Sequence, residues 1–214
     1  MARKEYDFSG FTGVEAKNAM KVEVKRGDSF SVAVESDDQA LGDVNVTMFN
    51  NMLTAKLEAR WGNIGRMFKG VSSPKLLVTM PDIRSLELAA ASRGEMSGFT
   101  GQESLQLTLA GASSLTGDVS CKQLKLEGGA ASHFELTGSA ATADIDLSAA
   151  SNANLEKMTI GDAKIKLGGA ASMTINLNGK LDAEVSGASN LRWLGTPTLG
   201  VIKITGASSF SKKS

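Results

Sequence analysis

The sequence predicts an all-β chain whose main body is a parallel β-solenoid, a β-helix that is right-handed by analogy, with antiparallel hairpins in its N-terminal part. Three observations carry that expectation. Seven segments recur at a nearly fixed period, each alternates apolar and polar residues, and the composition sets 23 glycines against 3 prolines in 214 residues. A loop-rich or disordered chain enriches both glycine and proline, whereas this one enriches only the residue that permits tight turns.

The repeat is legible without any alignment to other chains. The segments SLELAAAS (85–92), QLTLAGAS (106–113), QLKLEGGA (123–130), DIDLSAAS (144–151), KIKLGGAA (164–171), AEVSGAS (183–189) and IKITGAS (202–208) align on Leu88, Leu109, Leu126, Leu147, Leu167, Val185 and Ile204. The anchors are 21, 17, 21, 20, 18 and 19 residues apart. That period suits a solenoid rather than propeller blades or helical pairs. Within a copy the alternation has period two, which is the signature of a strand. The run Leu107, Leu109, Gly111, Ser113, Leu115 gives one inward face, shrinking to small residues where the chain must turn a corner.

One copy cannot stand alone. It buries three or four large apolar side chains, worth about 1.5–3 kcal/mol each, while ordering each residue's backbone costs roughly 1–2 kcal/mol. Stacking the copies at about 4.8 Å supplies the missing burial and hydrogen bonds. The alignment places the outward residues Glu87, Thr108, Lys125, Asp146, Lys166, Glu184 and Lys203 in one ladder, alternating in sign from Lys125 onward. Opposite charges on neighbouring strands are favourable and like charges are not.

Residues 1–80 follow a different grammar and are expected to pack on or cap a solenoid formed by 81–214. Val22 and Val24, the turn Gly27-Asp28, then Phe30, Val32 and Val34 predict one hairpin. Val44, Val46 and Met48, then Asn50-Asn51, then Leu53, Ala55 and Leu57 predict a second. The stretch from Trp61 to Ser73 has three glycines and no periodicity, so a loop is expected before the strand Leu76–Met80. Hairpins at the end of a coil would cover strand edges that otherwise invite end-to-end growth.

Charge and composition exclude several functions. Lysine and arginine number 23 and aspartate and glutamate number 23, so there is no electrostatic footprint for nucleic acid. No stretch approaches about 18 consecutive apolar residues, which argues against direct membrane insertion. The segment from Met1 to Phe11 has no apolar run of signal-peptide length, so the chain is expected to be cytoplasmic unless a leader was removed. Cys121, the only cysteine, precludes an intramolecular disulfide and any multi-cysteine metal site.

A search for catalytic chemistry finds little. His133, the only histidine, lies outward between Ser132 and Phe134 without ligands at metal spacing. Ser92, Ser113, Ser151, Ser189 and Ser208 recur at one corner, which suits turn hydrogen bonding rather than a nucleophile. Asp144 and Asp146 are matched one coil later by Lys164 and Lys166. No phosphate-binding loop or calcium nonapeptide is present, and no cofactor is expected. Two arginine–tryptophan pairs, Arg60-Trp61 and Arg192-Trp193, lie near breaks in the strand pattern and are the candidate ligand contacts. A tryptophan there can stack on a sugar or a protein partner, or close the end of the core.

The opening FSGFTGVEA (8–16), the run VEVKRGDSFSVAVESDD (22–38), the junction LLVTMPDIRSLEL (76–88) and the repeated GAS corners together resemble a bacterial family, the putative auto-transporter adhesins of the head GIN domain. The resemblance implies a β-helical domain, usually exported, with no established catalytic activity, and it transfers no functional residues. The expectation is therefore a non-enzymatic module of the cell envelope, periplasm or surface that binds a glycan or a surface protein. The alternatives are a structural scaffold that self-assembles end to end and, less favoured, a carbohydrate-active β-helix enzyme. The oligomeric state is left open.

Overall fold

The computed structural model describes residues 2–58 and 73–213. It is nearly all β. The first half contains β1 (Ala2–Tyr6), β2 (Gly13–Lys17), β3 (Lys21–Arg26), β4 (Ser31–Ser36), one helical turn α1 (Asp38–Leu41), β5 (Val44–Phe49), β6 (Met52–Leu57), β7 (Lys75–Met80) and β8 (Ser85–Ala89). Four long strands follow: β9 (Arg93–Leu109), β10 (Ser114–Gly128), β11 (His133–Leu147) and β12 (Asn152–Leu167). The last coils are split into β13 (Ser172–Leu177), β14 (Lys180–Val185), β15 (Asn190–Leu194), β16 (Thr198–Ile204) and β17 (Ser209–Lys212).

These strands stack in two columns that face each other across the core. One column runs β1, β4, β7, β3, then the first halves of β9 to β12, then β13, β15 and β17. The other runs β5, β6, β2, β8, the second halves of β9 to β12, then β14 and β16. Pairing is parallel throughout, apart from β1–β4, β4–β7 and β5–β6 at the N-terminal end. The result is a β-solenoid of about seven turns with antiparallel strands at one end.

The inward residues predicted from period two form the core. Leu107, Leu126, Ile145 and Ile165 stack in register and are each at most 1% exposed. The corner works as its small residues suggest. Ala90 and Ala91, and Ala130 and Ala131, adopt left-handed backbone conformations with φ between 51° and 65°. Such conformations suit glycine and are tolerated at a single tight turn. The following serine turns inward: the Ser92 and Ser113 hydroxyls donate to the carbonyls of Ala89 and Ala110 at 2.8 and 2.7 Å, and Ser151 donates to Ser148 at 2.7 Å. Ser132, absent from the sequence-based series, belongs to it and donates to Leu109 and Gly129.

Two expectations need correction. Residues 22–34 do not form a hairpin, because β7 lies between β3 and β4, parallel to the first and antiparallel to the second. Gly27-Asp28 reverses the chain, but a strand from fifty residues later fills the gap. β3 also pairs in parallel with β9, which makes it a full member of the column. The second predicted hairpin, β5 with β6, is present in the expected register.

The charge ladder is also shifted by two residues at one coil. Thr108 faces Glu127, not Lys125, and Lys125 faces Gln106 on one side and Asp144 on the other. The residue aligned with Leu109 and Leu147 is Gly128, so the anchor spacings of 17 and 21 become two of 19. The slip puts Glu127 beside Asp146, a like-charged pair. Glu127 is compensated within its own surroundings: Lys125 Nζ lies 2.8 Å away, and the Gln106 amide donates at 3.3 Å. The opposite-sign pairs Asp144 with Lys164, Asp146 with Lys166, Lys166 with Glu184 and Glu184 with Lys203 stand as predicted.

Candidate functional site

The site begins with a local break in strand periodicity. Inward residues normally follow one another at every second position. In each of the four long strands one aligned step is three: Gln102 to Leu105, Cys121 to Leu124, Ala140 to Ala143 and Ile160 to Ala163 are consecutive buried positions. β9 takes the same step from Met96 to Phe99 and from Phe99 to Gln102, as β12 does from Leu155 to Met158. Two neighbouring residues are therefore turned outward at each step, as in Glu103-Ser104, Lys122-Gln123 and Ala141-Thr142. The strand bends there, and stacked bends make a groove along the coil axis.

That groove has a volume of about 610 Å³ and spans four coils. Two polar ladders form its sides. Ser104, Gln123 and Thr142 occupy one register line, and Ser85, Gln106, Lys125 and Asp144 the other, with Arg84 at the N-terminal end. Leu105, Leu124 and Ala143 contribute only their backs, since their side chains are buried in the core. Lys125 and Glu127 hold each other charged: the carboxylate raises the lysine pKa, and Lys125, ahead of Thr108 and Gln106, lowers that of Glu127. Arg84 is exposed and has no side-chain partner among the described residues. Among the described residues the groove thus presents hydroxyls, amides, the Lys125 ammonium, the Asp144 carboxylate and the unpartnered Arg84 guanidinium, and no aromatic ring.

The residues singled out by sequence lie elsewhere. Arg60 and Trp61 are outside the described residues. Arg192 and Trp193 are successive residues of β15 and point to opposite sides, Arg192 exposed and Trp193 half-buried. Trp193 packs on the apolar core, with its ring 6.2 Å from Phe210 and Lys212 Nζ 5.3 Å from its centroid. That contact closes the last coil, and neither residue reaches the groove. His133 is exposed, as its parity predicts, and Cys121 is buried. Among the described residues no group of three histidine, cysteine, aspartate or glutamate side chains is placed to hold a metal, and no helix is long and apolar enough to cross a membrane.

The groove is lined by common polar residues, so no rare residue type marks it in the sequence. Its signal is instead a one-residue slip in alternation, repeated in consecutive coils. Fold and groove together define a β-solenoid that displays a polar surface across four of its coils. The chain belongs to the family described as putative auto-transporter adhesin, head GIN domain, whose model matches residues 10–197. No match exists among the curated proteins. Solved structures share the fold. A putative adhesin from Bacteroides fragilis superposes with a TM-score of 0.85 at 14% identity, over 99% of this chain and 96% of that one. A putative adhesin from Parabacteroides merdae gives 0.70 at 12% identity, covering 100% and 96%. A putative lipid binding protein from Parabacteroides distasonis gives 0.73 at 12%, with the same coverage.

Proposed function

We propose that this chain is a non-catalytic binding module of the cell envelope, an adhesin-like solenoid that holds a glycan or protein ligand on its outer surface. The observation that carries this reading is the groove: a continuous polar surface across four coils, on a scaffold whose strands are hydrogen-bonded on both sides. A rigid display surface suits recognition, because little ordering is needed on binding. The acids of the groove do not suggest catalysis, since among the described residues Asp144 alone lines it with a carboxylate and general acid–base cleavage of glycosides needs two. Family membership supports a location outside the cytoplasm. Protease shaving of intact native cells, followed by blotting, tests this. Loss of the protein from intact cells is the expected result, and protection until lysis overturns a surface role.

One observation favours a second reading, the self-assembling scaffold. In β16 the inward positions Leu199 and Ile204 are 48% and 45% exposed, with no further strand over them among the described residues. Sedimentation across a range of concentrations tests it: reversible growth to long species supports assembly, and a constant mass rejects it.

A further inference from the structure

We infer that the groove of Arg84, Ser104, Gln123, Lys125, Thr142 and Asp144 binds an extended oligosaccharide bearing carboxylate groups, of the uronate-chain type. The inference rests on the reading of the chain as a binding module and assigns that module its site and ligand class.

The shape argues for an extended ligand. The groove crosses four coils, so its floor runs for roughly three strand spacings, about 14 Å, along the axis. A polar side chain recurs at each spacing, which suits a ligand that itself repeats. The lining argues for a polyhydroxyl ligand. Gln123, Ser104, Ser85 and Thr142 each carry both donor and acceptor capacity, as sugar hydroxyls do.

The same features argue against a peptide. Every strand beneath the groove is paired on both sides, so no strand edge is open for a peptide backbone to join. The apolar residues of the floor are turned into the core, so among the described residues the groove offers no apolar surface to a peptide side chain.

Charge then selects among sugars. Lys125 is engaged by Glu127 at 2.8 Å, whereas the Arg84 guanidinium has no partner among the described residues. A planar guanidinium at one end of a hydroxyl-lined groove matches a carboxylate, which it can take with two parallel hydrogen bonds. Asp144, at the other end, accepts from hydroxyls and requires the carboxylate of the sugar seated there to point away from it, towards solvent. With no aromatic ring among the described lining residues, affinity depends on hydrogen bonds and charge, so it falls as salt rises.

The test is calorimetric titration of the full chain with tetragalacturonate, with maltotetraose as the neutral comparison and a short polyglutamate peptide as the acidic one. Backbone amide shifts around Gln106, Gln123 and Thr142 report the location. Tetragalacturonate is expected to bind and to weaken about tenfold in Arg84→Gln and in Gln123→Ala, while Arg93→Gln, exposed in the other column, binds as the unaltered chain does. Unchanged melting temperatures separate these losses from unfolding. Equal binding by Arg84→Gln, shifts confined to another surface, or polyglutamate binding as tightly as tetragalacturonate would each overturn the assignment. Failure of tetragalacturonate to bind overturns the ligand class alone, since surface location is read independently by shaving.

Discussion

The ring of Phe134 occupies the space that a side chain on Gly128 would need. A Cβ on Gly128 would fall 2.9 Å from Cε2 of Phe134 and 2.7 Å from Cδ2 of Leu147, both closer than packed atoms tolerate. Gly128 stands where neighbouring coils carry Leu109 and Leu147, and Phe134 stands where they carry Leu115 and Ala153. Volume has moved from one inward position to another within the same layer. Restoring the repeat residue by Gly128→Leu is therefore expected to destabilise, and even Gly128→Ala should cost about 1–3 kcal/mol by overpacking. Phe134→Ala alone should cost about 3–5 kcal/mol. The double variant with Gly128→Leu should recover at least about 1 kcal/mol relative to the sum of the two, as measured by denaturant unfolding. Strict additivity would show that the two positions do not share the space.

That exchange also explains what the sequence could and could not reveal. The period, the strand parity and the small corners were readable because each coil repeats them in its own residues. Alignment on the last large apolar residue failed at Leu126 because its coil ends on Gly128, and the compensating ring is six residues away. The insertion of β7 between β3 and β4 was unreadable for a different reason. Both strands have hairpin spacing, and nothing local in Val22–Val34 tells of a partner some fifty residues downstream. The groove left only a slipped step between Cys121 and Leu124, which carries meaning once neighbouring coils are in register.

Strand parity has its own test at neighbouring residues. Leu126 is fully buried and Lys125 is exposed. Leu126→Lys puts an ammonium into the apolar stack without a partner and should cost more than about 4 kcal/mol or abolish folding. Lys125→Leu gives up only an exposed pair with Glu127 and should change stability by less than about 1 kcal/mol. Similar melting temperatures for the two variants would reverse the parity.

Glu23 links β3 to its own strand and to β7. It pairs with Lys25 and with Lys75, and these two ammonium groups hold its carboxyl below the ordinary value of 4.5. A carboxylate with a lowered folded pKa stabilises above its unfolded value and loses that contribution as pH falls through the folded one. Glu23→Gln should therefore lower the melting temperature at neutral pH, by an amount worth about 1 kcal/mol or less per pair. The gap between variant and unaltered chain should close between pH 4.5 and more acidic values. A gap independent of pH would assign the effect to packing instead.

Cys121 faces the core between Gln102 and Ala140, 8% exposed, and burial pushes its thiol from 9.0 up to about 11. Only the thiolate attacks an alkylating reagent, and a thiol this much weaker as an acid holds about a hundredth of the usual thiolate at mildly alkaline pH. Iodoacetamide should then modify the native chain at least about 100-fold more slowly than the chain unfolded in urea, as counted by mass spectrometry. The raised thiol pKa also makes stability depend on alkali. It contributes stability that is intact below 9.0 and is lost as pH rises through about 11, because only the unfolded chain ionises in that interval. Cys121→Ala should flatten the fall of melting temperature over that window while leaving neutral-pH stability within about 1 kcal/mol. Rapid labelling of the native chain would mean that the coil opens at this position on the timescale of the reaction.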